Sequence, residues 1–158
     1  MIQRGMKLDE IVCVDLGVEW PEMYVHIKKV QEYIGAEITI LHPPLGDFQY
    51  YFSEYELRKG KRKGGKGKGW CGKLRWGTGY KRDIARKYLR QLGEVIEYHG
   101  IAQGEEQRLK KNRDGRNIKY PLIEWGASEQ QNLQECYAKG FDFGGLYNKL
   151  RRASCWVS

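Results

Sequence analysis

Between Arg58 and Gly69 the sequence reads RKGKRKGGKGKG, seven cations and five glycines with no other residue type. Arg58, Lys59, Lys61, Arg62, Lys63, Lys66 and Lys68 on a pliable backbone suit one kind of chemistry: neutralising phosphates, with strongly salt-dependent affinity. Aromatic residues flank the run, with Tyr50, Tyr51, Phe52 and Tyr55 before it and Trp70 and Trp76 after it. Cations beside aromatic rings fit phosphate contact combined with base stacking. The same composition also describes a solvated, flexible connector. The aromatic flanks favour contact with an anionic ligand, and leave open whether that is a nucleotide or a nucleic acid.

The other segments with chemical potential are weaker. Asp15-Leu16-Gly17-Val18-Glu19 follows a short apolar run, and a carboxylate with a glycine just past a strand end is what an α/β sheet uses at its ligand edge. The same residues also make a plain turn. Gly67, Gly69 and Gly72 spell GxGxxG, and Gly67 to Lys73 spells GxxxxGK. No strand precedes them, and Leu74 stands where a Walker loop needs Ser or Thr, so neither is a nucleotide fingerprint. Cys13, Cys71, Cys136 and Cys155 form no CxxC pair, and His26, His42 and His99 are scattered. No metal, cofactor or disulfide framework is expected from such spacing.

The 158 residues fit one domain with a real core. Of the net charge of +8, the basic segment supplies seven, so the remainder carries only +1. Any electrostatic partner is therefore a partner of that segment. No apolar run reaches the ~20 residues of a membrane span. The first residues show no apolar h-region, which predicts the absence of a signal peptide, a cytoplasmic location and no membrane partner.

The elements that must position these residues read as α/β. Glu10–Val14 is a strand candidate. Pro21 opens a helix in its first turn, Trp20, Tyr24, Ile27, Val30 and Ile34 repeat at helical spacing, and Gly35 stops it. Glu37–Leu41 reads as a second strand, parallel to the first through a crossover. Residues 47–57 read as helical, Lys81–Leu92 as a helix ended by Gly93, and Glu94–Tyr98 as a third strand. The charged stretch 104–119 reads as a mobile loop and Tyr120–Trp125 as extended. Ser128 and Gln131 form a capping box for a helix ending at Lys139-Gly140, and 144–152 reads as one more short helix.

Four stretches, VDLGVEWPEMYVHIKKVQEYIG (14–35), GKGWCGKLRWGT (67–78), EVIEYHGIAQGEEQRLKK (94–111) and YPLIEWGASEQQ with CYAKGFDFGGLYNKLRRASCW (120–156), together resemble the phosphoadenosine phosphosulfate reductase family, in particular its phage and prophage branch. The resemblance implies an adenine nucleotide α-hydrolase-like fold: α/β, with a shortened, mostly parallel sheet and flanking helices. It places Asp15, Gly17 and Glu19 on the loop after a strand, and Arg75, Thr78 and Lys81 on a segment facing phosphate or sulfate. Gly100, Glu105 and Arg108 match the family's Gly-Ile…Glu…Arg motif, and Tyr147 and Arg152 its C-terminal segment. These are the nucleotide- or anion-binding candidates that the resemblance implies.

The family's Ser-Gly-Gly-Lys-Asp-Ser phosphate loop does not occur in the sequence, and the resemblance implies a start beyond it. That loop is the main anion cradle of the fold, so the expectation is a non-catalytic binding protein with no catalytic residue of its own and weak contact with adenine nucleotide. Its partner is expected to be nucleic acid or a nucleoprotein, reached through the basic segment. For a phage-encoded chain, inhibition of a host defence is the corresponding use. The alternative is a sulfonucleotide reductase or adenylyl-transferring enzyme of sulfur metabolism, active once the loop is supplied. The family's central strand would also be absent. The expected solutions are direct pairing of its two neighbours, or a homodimer in which a second copy fills the gap.

Overall fold

The computed structural model describes residues 4–69, 76–109 and 115–150. Trp70, Arg75 and Arg152 lie outside these, as do Cys71 and Cys155. The side chains of Trp76 and Thr78 lie outside them too, although both residues stand in the first turn of a helix.

The first half follows the sequence reading closely. Strand β1 (Val12–Val14) leads through helix α1 (Pro21–Ile34) to strand β2 (Thr39–Leu41). The strands pair in parallel, with Val12 opposite Thr39 and Val14 opposite Leu41. Pro21 occupies the helix start, where its missing N–H removes no internal bond. Gly35 closes the helix in the left-handed region at φ 63°, donating its N–H to the Gln31 carbonyl at 2.9 Å. Helix α2 (Phe48–Ser53) is capped by Asp47, whose carboxylate accepts from the Tyr50 N–H at 3.0 Å. Helix α3 (Trp76–Gln91) begins five residues before the expected Lys81.

The core lies where these elements meet. Leu16, Val18 and Phe48 are buried together, with Val14, Phe52, Tyr80 and Ile84 packed around them. Leu16, only 2% exposed, is the most buried large side chain among the described residues. The residues of the loop after β1 therefore do two jobs. Alternate positions, Leu16 and Val18, enter the core, while Asp15, Gly17 and Glu19 are left to line the strand end.

The second half departs from the sequence reading. Strand β3 (Ile96–Tyr98) pairs in parallel with β4 (Asn117–Lys119), inside the stretch expected to be a loop. Only Ile118 among the three β4 residues is apolar, too short a pattern for alternation to reveal. Pairing with β3 and an ion pair from Arg116 to Glu97 order the segment instead. Residues 106–108 form a 3-10 turn. Pro121 starts a one-turn helix α4 (Pro121–Glu124), correcting the expected extended segment, because proline is as well suited to a first helical turn as to extended chain. Helix α5 (Glu129–Ala138) carries the full capping box of Ser128 and Gln131. The last element, Phe143–Asn148, is a 3-10 turn kinked at Gly144 and Gly145, both at positive φ, rather than a regular helix.

The architecture is thus mixed α/β, but the expected single sheet is two separate two-stranded parallel sheets among the described residues. The direct pairing of β1 with β3 does not occur. Each strand is three residues long and pairs only with the strand nearest to it in sequence. No described helix is long and apolar enough to cross a membrane.

Candidate nucleic-acid interface

The basic segment is a folded hairpin. Glu56 and Lys66 form an antiparallel bridge. The Leu57 N–H donates to the Gly65 carbonyl at 2.9 Å, and the Gly64 N–H returns to the Leu57 carbonyl at 2.8 Å. A turn closed by the Lys63 N–H on the Gly60 carbonyl forms the tip. The returning strand then lies down on α2: the N–H groups of Gly67, Lys68 and Gly69 donate to the carbonyls of Tyr55, Tyr51 and Phe52 at 2.9, 3.0 and 3.0 Å.

Gly67 is what permits that approach. It sits at φ 70°, and a Cβ there would fall 2.4 Å from the Phe52 carbonyl oxygen and 2.8 Å from that of Ser53. The glycines that composition presents as flexibility are used here as geometry.

Two of the seven cations hold the hairpin in place. The Lys68 ammonium lies 5.2, 5.3 and 4.9 Å from the ring centroids of Tyr51, Tyr55 and Tyr80. Cation–π contacts of this kind are worth about 0.5–1 kcal/mol each at exposed sites. Burial and a hydrogen bond with Tyr51 push the Tyr80 hydroxyl far above its ordinary range, so this ring stays neutral beside the ammonium. Arg62 reaches the Gly67 carbonyl at 3.2 Å and the Lys68 carbonyl at 3.5 Å.

The other five, Arg58, Lys59, Lys61, Lys63 and Lys66, are exposed. None of their side chains has an ion-pair partner among the described residues. The hairpin thus separates its charges into anchors and a projecting set. The aromatic flank is divided in the same way. Tyr51, at 3% exposure, and Phe48 and Phe52 turn into the core or the cage, so Tyr51 is a support for the hairpin rather than a platform for a base.

The remaining candidates fall into three groups. Asp15, Gly17, Glu19 and Lys81 meet at the end of β1. The Asp15 carboxylate, on a residue 7% exposed, accepts from the Gly17 N–H at 2.7 Å and from the Tyr24 hydroxyl at 3.2 Å. Lys81 pairs with Glu19. Burial, with the Asp15 bond and charge adding to it, raises the Tyr24 hydroxyl, and burial raises the Cys13 thiol nearby against the pull of Lys81. The structure therefore satisfies these charges internally. Gly100, Glu105 and Arg108 follow β3 in the other sheet, with Arg108 paired to Glu105 at 2.6 Å. Tyr147 lies near α1 and stacks edge-on against Phe143, ring centroids 5.0 Å apart.

Sequence reasoning missed one charged cluster. Glu97, its side chain 6% exposed, accepts from Arg116 at 2.7 and 2.9 Å and lies 3.1 Å from His99 Nε2. Glu97 lies in β3 and His99 just past its end, two apart along the chain, the spacing that places side chains of extended chain on one face; Arg116 carries no such signal. Compared with known proteins, the chain matches no protein-family model, no curated protein and no solved structure.

Proposed function

We propose that this chain is a binding protein that grips the phosphate backbone of a nucleic acid with its basic hairpin. The observation that carries the reading is the division of labour within the segment. Lys68 holds the hairpin to the domain and Arg62 closes the hairpin on its own returning strand, which leaves Arg58, Lys59, Lys61, Lys63 and Lys66 displayed on a fixed support. Cations held in place by the fold lose less freedom on binding than cations on a free tail. The buried rings beneath the hairpin argue against base stacking by Tyr51, so recognition rests on phosphate and is largely indifferent to sequence.

The α/β scaffold, on the same reading, is similar to phosphoadenosine phosphosulfate reductases. The parallel β1–α1–β2 unit and the Asp15-to-Glu19 loop at its end support that assignment. The chemistry of that loop supports only weak nucleotide contact, since Lys81 is already paired with Glu19. Fluorescence anisotropy with labelled single-stranded and duplex oligonucleotides tests the hairpin. Replacing Lys59, Lys61 and Lys63 by serine is expected to weaken both by more than tenfold. Unchanged affinity contradicts the reading. Calorimetry with ATP tests the loop: tight binding would move the function to that end of β1.

A further inference from the structure

The basic hairpin is a protrusion. Every residue from Arg58 to Lys66 is exposed, whereas Gly67, where the returning strand reaches α2, is buried. A Cβ placed on Gly60 or Gly64 would meet nothing within 4 Å, so both positions face open space. The protrusion is nevertheless ordered. The bridge between Glu56 and Lys66, the bonds joining Leu57 to Gly64 and Gly65, and the turn closed between Gly60 and Lys63 give it the form of a short two-stranded ribbon.

Its available charges stand on both limbs. Arg58 and Lys59 lie on the outgoing limb, Lys61 in the turn, and Lys63 and Lys66 on the returning limb. Apart from Arg62, the other projecting residues are the glycines Gly60, Gly64 and Gly65, so the ribbon carries no bulk besides its cations. Limbs paired as in a sheet lie about 5 Å apart, and lysine's flexible four-carbon stem extends the reach of each. Glu54 and Glu56 are exposed at the base of the hairpin. Their carboxylates repel phosphate there, which directs an anionic partner to the projecting end.

A convex ribbon with cations on both limbs is the complement of a groove walled by phosphates. The major groove of B-form DNA is about 12 Å wide and admits a two-stranded ribbon, whereas the minor groove is about 6 Å wide. The major groove of A-form RNA is deep and narrow. A single strand offers no groove, and its binders grip by stacking bases on aromatic rings; here Tyr51 is buried and Tyr50 and Tyr55 are half-buried. We infer that the hairpin enters the major groove of duplex DNA tip first, with its two limbs placing cations on the phosphates of the two facing strands. This rests on the phosphate-gripping reading of the hairpin and narrows its partner to the B-form duplex.

The test is fluorescence anisotropy of the full chain, over a range of salt concentrations, with a labelled DNA duplex, the RNA duplex of the same sequence and one DNA strand alone. The DNA duplex is expected to bind tightest, by about tenfold or more over the RNA duplex, with a slope of log Kobs against log[salt] of about −4.5, five contacts at about −0.9 each. Methyl green, which occupies the major groove, should displace the protein from the DNA duplex, and netropsin, which occupies the minor groove, should not. Equal affinity for the two duplexes, a single strand bound as tightly as the DNA duplex, or displacement by netropsin alone overturns the groove assignment. The hairpin reading survives that result if replacing Lys59, Lys61 and Lys63 by serine still weakens binding throughout. Unchanged affinity in the serine variant overturns the hairpin reading and the groove assignment with it.

Discussion

Lys68 touches Tyr51 twice. Its backbone N–H donates to the Tyr51 carbonyl at 3.0 Å, and its ammonium stands 5.2 Å from the Tyr51 ring centroid. One residue thus carries both a main-chain and a side-chain attachment of the basic hairpin to α2. Because Tyr51 is buried against the domain, the position of the hairpin is tied to the core itself.

That attachment depends on the close approach at Gly67. Gly67→Ala puts a methyl group 2.4 Å from the Phe52 carbonyl at a left-handed backbone position, which costs about 1–2 kcal/mol from conformation alone and more from the clash. The expected result is a hairpin released from α2. Hydrogen exchange at the Lys68 and Gly69 amides should speed up markedly while protection in α1 is retained. Unchanged exchange at both amides would show that the hairpin does not depend on this contact.

The core makes a separate prediction. Leu16 is the most buried side chain in the described cluster and packs with Val18 and Phe48. Leu16→Ala is expected to destabilise the protein by about 2–5 kcal/mol, read as a lower urea midpoint. Because the same loop holds Asp15 and Glu19, the variant should also loosen the Tyr24–Asp15 hydrogen bond.

Acid should weaken the packing of α1 against the C-terminal 3-10 turn. His26 lies 4.3 Å from the Phe143 ring and edge-on to Phe141, and its Nδ1 is buried without a hydrogen-bond partner. Burial, then Lys29, lowers its pKa, while Asp142 opposes them; Glu22 also lines this contact. With the folded value below the ordinary 6.5, the unfolded chain takes up the proton first. The neutral ring's stabilisation is therefore complete above about pH 6.5 and falls as the pH drops toward the folded value. Thermal melts from pH 7.5 to 5 should show this decline, and His26→Phe should flatten it. An equal slope in the variant would assign the decline to other groups.

The fold was legible where local signals were strong. Pro21 and Gly35 bracket α1, and Ser128 with Gln131 marks the start of α5, since each reports a backbone requirement that only a few residue types meet. β4 was not legible, because Asn117-Ile118-Lys119 gains its order from a distant strand and from Glu97, which no local pattern encodes. The hairpin was seen as charge and not as shape. Its glycines look like flexibility in the sequence, and the carbonyls of Tyr51, Phe52 and Tyr55 that organise them are a tertiary fact.

The most direct test of the hairpin's role is the salt dependence of oligonucleotide affinity. If Arg58, Lys59, Lys61, Lys63 and Lys66 all meet phosphates, log Kobs against log[salt] should have a slope of about −3.5 on a single strand, a loss of roughly a hundredfold between 50 and 200 mM. Replacing all five by serine, with Lys68 and Arg62 kept, should bring the slope close to zero. A shallow slope in the unaltered protein, or the same steep slope in the substituted one, would contradict the account.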